Sequence, residues 1–404
     1  MKQPLISVIT ASYNYEKDIV KAIDSVLNQS YKNWELIIVD DGSSDNSLDV
    51  IKKYAGLYEN IFYFSHENNQ NKGLSETIKL ALSKANGEFV AFLESDDTWD
   101  EMALEKRVKA LKGNPEAKFV FNDVELVGDE NQISLLLPSL QLYREQYPQL
   151  QSAKYIYKYM LSFNLILTFS SWMCEKKLLE TCDFNPPIKP YLDWWLWSQI
   201  STKTKIVCVN EKLTNWQLHQ KSYISRTKSE ISVQNLRLYR KKLLELLKVS
   251  CGERYESIAR EIFAYQLENS KKALSQKEKS EYIELMKKSN VYVYGAGQYT
   301  REFLNSAESK ELKIKALIDG DSAKQGQVLN TYKIYHKSEI ASLNPDVILV
   351  CLAKPELVKD ELDTLIKGNG LKTKLITNFF IKQKKVPCEK PLFEEIENFL
   401  IDSI

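Results

Sequence analysis

Through the opening part of the chain, apolar residues switch repeatedly between short continuous runs and a helical stripe. LISVITAS (5–12) is rich in β-branched residues and fits a buried strand. YEKDIVKAIDSVLNQ follows, with Ile19, Val20, Ile23, Val26 and Leu27 on one helical face. The alternation continues through the strand WELIIVDDG, a short helix around Leu48, Ile51 and Ala55, and the strand IFYFS. Next come the helix LSETIKLALSKA, with Leu74, Ile78, Ala81, Leu82 and Ala85 on one face, and the strand EFVAFL. Thr98 and Glu101 have the spacing of a capping box, which predicts the start of a further helix, DEMALEKRVKAL. This order predicts a largely parallel sheet with helices on both faces. In such sheets ligands bind beyond the carboxyl ends of the strands.

From Ser225 to Asn290 the pattern is helical and charged, and Leu recurs at helical spacing in NLRLYRKKLLELLKV, which reads as a helical connector. Strand–helix alternation restarts at Val291 with VYVYGAGQYTREFL, followed by the strands KIKALIDGD and PDVILVCLA; a second, smaller Rossmann-like α/β domain is expected there. The tail PLFEEIENFLIDSI has Phe393, Ile396, Phe399 and Leu400 on one face of an amphipathic helix. Its other face is acidic, which disfavours an anionic bilayer and points to packing on this protein or on a second copy, as in a homo-oligomer. The expected divisions are 1–225, 226–290, 291–385 and 386–404.

Composition narrows the classes. A chain of 404 residues exceeds one ordinary core, so about two or three domains are expected. Lys and Arg total 55 against 54 for Asp and Glu, a balance that argues against a dedicated nucleic-acid binder. No apolar run reaches the length of a membrane span, and the N-terminus lacks the features of a signal peptide. The cysteines form no CxxC pair and read as reduced thiols of a cytoplasmic protein. His66, His219 and His336 show no zinc-ligand spacing.

Two acidic clusters stand at strand ends: Asp40, Asp41 and Asp45 in VDDGSSD, and Glu94, Asp96 and Asp97 in ESDD. Partly buried carboxylates repel one another, and a divalent cation resolves the repulsion. Mg²⁺ and Mn²⁺ take one or two carboxylates and complete their shells with substrate phosphates. The same acids would also suit a helix N-terminus, and both readings stand at this level.

Taken in order, six stretches bear a resemblance to family 2 glycosyltransferases, inverting enzymes with the GT-A nucleotide-diphospho-sugar transferase fold. They are ISVITASYN, SVLNQSYKNWELIIVDDGSSDNS, KANGEFVAFLESDD, LTFSSWMCEKKLLE, YLDWWLWSQIS and LTNWQLHQKSYIS, which together span the first 225 residues. The resemblance implies Ala11, Tyr13 and Asp41 around the base and ribose, and Asp96 near the ribose or metal. Asp97 would ligate Mn²⁺ or Mg²⁺, His219 would face the diphosphate or metal, and Asp193 would be the general base. Asp193 could equally cap the helix that follows it. The Arg-Asn pair common in the family is Ile78 and Lys79 here, and the Arg two residues before the histidine is Gln217.

In VYVYGAGQYT the third glycine position is Thr300, so the dinucleotide fingerprint is incomplete. This segment resembles small Rossmann-like domains of nucleotide-sugar and sugar acyltransferase proteins. Gly295, Gly297 and Asp319 would form a nucleotide site, or else a tight turn that packs helix on sheet. The expected activity is metal-dependent, inverting transfer of a sugar from a nucleotide donor, UDP being the commonest. The acceptor would be a glycan or lipid-linked glycan, met at the inner membrane face in surface polysaccharide synthesis. The alternatives are an inactive nucleotide-sugar-binding scaffold and an oxidoreductase working through the C-terminal domain.

Overall fold

The computed structural model describes residues 3–134, 136, 137, 140, 144, 166, 168–220, 222, 232–270, 276–352, 356–377, 379, 396, 397 and 400. The chain divides into two compact units, Met1–Phe263 with Glu389–Ile404, and Ala264–Cys388. The division falls inside the helix Tyr255–Ser270, within the segment read from sequence as a connector. The boundary expected at 225 and most of the tail, including Phe393 and Phe399, lie outside the described residues.

The first unit is built on β1 (Ile6–Ser12), β2 (Trp34–Asp40), β3 (Ile61–Ser65), β4 (Phe89–Phe92), β5 (Thr98–Trp99), β6 (Ala117–Gly128), β7 (Trp172–Glu175) and β8 (Lys205–Leu218). They form one sheet in the order β3-β2-β1-β4-β7-β6-β8-β5. β3, β2, β1 and β4 run parallel, β7 is antiparallel to both its neighbours, and β6 and β8 are parallel. α1 (Ile19–Leu27), α2 (Ser47–Leu57) and α4 (Ala103–Lys112) share a core with Ile6, Val8, Leu36 and Ile38, while α3 (Leu74–Lys84) packs on β1 and β2. The chain winds from β1 out to β3 and returns to β4 on the other side. That reversal leaves a crevice beyond the carboxyl ends of β1 and β4.

The expected capping box at Thr98 and Glu101 does not form. Thr98 and Trp99 pair with Asn215 and Thr214 of β8 as a short strand, so α4 starts later, at Ala103. Asp100 instead accepts the Met102 amide at 2.9 Å.

In the second unit, β9 (Val291–Tyr294), β10 (Ile314–Asp319), β11 (Val328–Leu329), β12 (Tyr332–His336), β13 (Val347–Val350) and β14 (Lys374–Ile376) run in the order β11-β12-β10-β9-β13-β14. All neighbours are parallel except β11 and β12. This is the Rossmann-like domain expected from Val291 onward.

Candidate functional site

A cavity of about 300 Å³ occupies the crevice beyond β1 and β4. Ala11 and Tyr13 line it from the end of β1, Asp41 from the end of β2, and Glu94 and Asp96 from the turn after β4. Register explains this convergence. Ile9 of β1 lies opposite Phe92 of β4, so the residues just beyond both strands emerge side by side. The Ser95 hydroxyl then ties the two ends together by donating to the Ala11 carbonyl at 3.0 Å. The floor is apolar, formed by Ile9, Ile78, Phe92 and Phe169. Thus Ile78, at a position where the resemblance leads one to look for a cation, contributes hydrocarbon. Lys79 is ion-paired with Glu76.

The three acids of VDDGSSD divide their work. Asp40 accepts the amides of Gly42 and Ser43 at 3.1 and 2.9 Å and shapes the turn. Asp45 accepts the Ser47 amide at 3.0 Å at the start of α2. Only Asp41 reaches the cavity, and its oxygens also accept the Lys72 and Gly73 amides at 2.7 and 3.0 Å.

Of the second cluster, Asp96 lines the cavity and meets His219 Nε2 at 2.9 Å, bringing β8's end to the site. Asp97 does not line it. Its carboxylate accepts the Gln217 amide at 2.8 Å and lies 3.0 Å from the Thr168 hydroxyl, with the residue 1% exposed. The residue expected to ligate the metal is therefore turned into the protein, held by strand β8 and by the segment before β7. Thr168 Oγ1 is also 2.6 Å from Glu94 Oε2. A hydroxyl has one proton to donate, so one of these two carboxyls supplies its own. Burial, reinforced by Asp96, pushes Asp97 up to about 8. Burial likewise pushes Glu94 well above the usual carboxylate range, with Asp97, Asp96 and Asp193 adding to the rise. These are carboxyls crowded together in a buried place, where each raises its neighbours.

Asp193 sits in the first turn of the helix Leu192–Ser201, 7% exposed, and accepts the Trp194 amide at 2.6 Å. It does not line the cavity, and its charge is the smallest of the contributions that raise Glu94. The tryptophans beside it are packed: Trp194 stacks on Tyr239 with centroids 4.9 Å apart, and Trp197 meets Trp172 edge-on at 6.2 Å.

Thr168 and Ser170 hold the acidic turn in place, and motif reading missed both. Ser170 accepts the Glu94 amide through its hydroxyl at 2.9 Å, and its carbonyl accepts Trp99 Nε1 and Arg107 at 2.6 and 2.8 Å. Both residues stand in LTFSS, but nothing local reveals that they brace acids more than seventy positions away.

In the second unit Gly295 has φ +99, and an added Cβ would lie 2.7 Å from Leu352 Cδ2, so glycine is required there. Asp319 accepts the Ala296 and Asp321 amides at 2.7 and 2.9 Å and pairs with Lys324 at 3.1 Å. Its carboxylate thus holds the glycine turn onto β10. An added Cβ at Gly297 would meet nothing within 4 Å.

Comparison with known proteins places these features. Residues 7–171 match the family described as Glycosyl transferase family 2, and residues 287–368 match the one described as C2185-like, N-terminal. The putative teichuronic acid biosynthesis glycosyltransferase TuaG of Bacillus subtilis is 42% identical over 27% of this chain and 42% of its own length. The Escherichia coli UDP-Glc:alpha-D-GlcNAc-diphosphoundecaprenol beta-1,3-glucosyltransferase WfgD is 27% identical over 58% of this chain and 85% of its own. The match thus spans less than half of TuaG. A crystal structure of S. aureus TarS with UDP-GlcNAc superposes with a TM-score of 0.48 at 18% identity, covering 70% of this chain and 80% of that one. The N-terminal unit is thus a mixed α/β unit whose residues 7–171 match the Glycosyl transferase family 2 model.

Proposed function

We propose that the N-terminal unit transfers a sugar, with inversion, from a UDP-sugar to a hydroxyl of a diphospholipid-linked glycan in surface polysaccharide assembly. The observation that carries this reading is the single cavity onto which Ala11, Tyr13, Asp41, Glu94 and Asp96 converge. The relative WfgD acts, by its name, on a UDP-sugar and a diphosphoundecaprenol-linked acceptor. A lipid-linked acceptor would bring the protein to the cytoplasmic membrane face. Among the described residues no helix is long and apolar enough to cross a membrane.

The donor set suits Mn²⁺ or Mg²⁺. Asp96 presents a carboxylate at the cavity with Glu94 beside it, and His219 Nε2 lies 2.9 Å from Asp96; one or two protein donors suffice when a diphosphate supplies the rest. Among the described residues no group of three or more His, Cys, Asp or Glu forms a metal site by itself. We therefore assign the metal to Asp96 and His219 and give Asp97 the task of holding the turn that presents Asp96. When bound, the cation would neutralise charge developing on the departing diphosphate.

The remaining work falls to side chains. Tyr13 and Asp41 would bind the nucleoside end of the donor. Asp193 would take the proton of the acceptor hydroxyl as its oxygen attacks the anomeric carbon from the face opposite the diphosphate. One bond forms as the sugar–phosphate bond breaks, so one base is enough.

A panel of nucleotide sugars, assayed for free UDP with a diphospholipid-linked acceptor and Mn²⁺, tests the reading. Metal-dependent release with one donor is expected, and no release from any donor would reject it. The hydrocarbon side chain of Ile78 in the cavity favours one rival, a non-catalytic nucleotide-sugar scaffold, and the same assay separates the two. In the C-terminal unit, Asp319 is occupied by two amides and Lys324, which favours a structural glycine turn over a cofactor site.

A further inference from the structure

Between β3 and α3 the chain runs through HENNQNKG, residues 66–73, and this loop supplies Asn71 and Gly73 to the cavity wall. Asn68 and Asn69 both have positive φ, 55° and 50°, so the loop holds a tightly specified shape rather than an extended one. Three side chains fix it. Asp41 accepts the Lys72 and Gly73 amides, clamping the loop's end to β2. The Thr77 hydroxyl, one turn into α3, donates to the Gly73 carbonyl at 2.9 Å. His66 Nε2 lies 3.0 Å from Thr77 Oγ1 and 3.5 Å from Asp41 Oδ1.

With the Thr77 hydroxyl donating to the Gly73 carbonyl, the Nε2–H tautomer of His66 donates to Thr77 Oγ1 and stands 3.5 Å from Asp41 Oδ1. His66 thus links the loop's start, the helix it leads into, and the carboxylate at the nucleotide end of the cavity. The motif comparison gives it no role.

We infer that His66 is a positioning residue for the donor nucleotide. By holding Asp41 and Thr77 together it sets the cavity wall formed by Asn71, Gly73 and Thr77, and it acts on donor binding rather than on sugar transfer. This rests on the transferase reading for its substrate.

The test uses the full chain with His66→Ala and His66→Gln, the glutamine keeping an N–H donor at comparable reach. Donor KM and kcat are measured by UDP release, and UDP affinity by calorimetry with Mn²⁺. His66→Ala should raise donor KM and weaken UDP binding about tenfold, the scale of losing one intramolecular hydrogen bond, while kcat stays within about twofold. His66→Gln should recover most of the loss. A merely structural role would lower the thermal midpoint and the active fraction but leave KM alone. Unchanged KM and UDP affinity in His66→Ala, or a glutamine variant no better than alanine, would overturn the inference. If no donor is turned over, the transferase reading fails while calorimetry with UDP still decides the role of His66. Absence of UDP binding to the unsubstituted protein would overturn both.

Discussion

The Asp97 carboxylate faces the Gln217 amide and the Thr168 hydroxyl at 2.8 and 3.0 Å, while its neighbour Asp96 faces the cavity and His219. Successive residues in a turn point different ways, and long-range partners select which one reaches the ligand. A carboxyl raised in the fold from 3.8 to about 8 binds its proton more tightly folded than unfolded. Its contribution to stability is complete below the unfolded value and is lost as pH rises through the folded one. The metal-free protein should therefore lose stability from about pH 4 to about pH 8. Asp97→Asn should flatten that profile. Thermal unfolding in chelator across this range checks it, and parallel curves for the two proteins would contradict the assignment. At Asp193 the expectation concerns rate: Asp193→Asn should cut kcat by about 10²–10⁴-fold, the usual worth of a general base, and leave UDP affinity unchanged. Near-normal turnover would remove Asp193 as the base.

At the scale of elements, the site depends on loops that touch. Gly42 has φ +78, and a Cβ there would approach the Asn69 carbonyl oxygen to 2.6 Å, so the turn after β2 and the loop after β3 meet backbone to backbone. Gly42→Ala adds a clash to an unfavourable φ and should cost about 2 kcal/mol. It should also weaken UDP binding, because Asp41 and Asn71 flank the contact and both line the cavity. Chemical denaturation with calorimetry measures both. A variant as stable as the parent would show that the loops do not press on each other. Nothing in VDDGSS by itself reveals that its glycine must admit a distant loop.

At the scale of the whole molecule, the tail segment Glu389–Ile404 belongs with the N-terminal unit although the C-terminal unit precedes it in the chain. Ile396 and Leu400 are 1% and 3% exposed, Tyr255 donates to Glu397 at 2.7 Å, and Arg240 reaches the Leu400 carbonyl at 3.3 Å. Of the expected apolar face, Ile396 and Leu400 are thus buried on this protein, while Phe393 and Phe399 lie outside the described residues. The Ile396→Ala/Leu400→Ala double variant should destabilise the N-terminal unit by several kcal/mol, at about 2–5 for each buried truncation. The C-terminal unit should be spared. Differential scanning calorimetry with two transitions would show which one moves, and a shift confined to the C-terminal transition would refute the assignment.

Periodicity and local chemistry were enough to establish the strand–helix order, the two α/β units and the placing of acids beyond strand ends. Those properties are set by neighbours within a few residues: apolar spacing, β-branching, and glycine where φ is positive. The tertiary structure alone decided that Asp96 faces the cavity and Asp97 does not, that Thr168 and Ser170 brace the acids, and that Thr98 and Trp99 join a strand instead of capping a helix. In each case the deciding partner lies some seventy or more positions away, at Thr168, Ser170, Thr214, Asn215, Gln217 or His219. A side chain's direction follows the hydrogen bonds it can complete, and those exist only once the sheet has brought distant strands together.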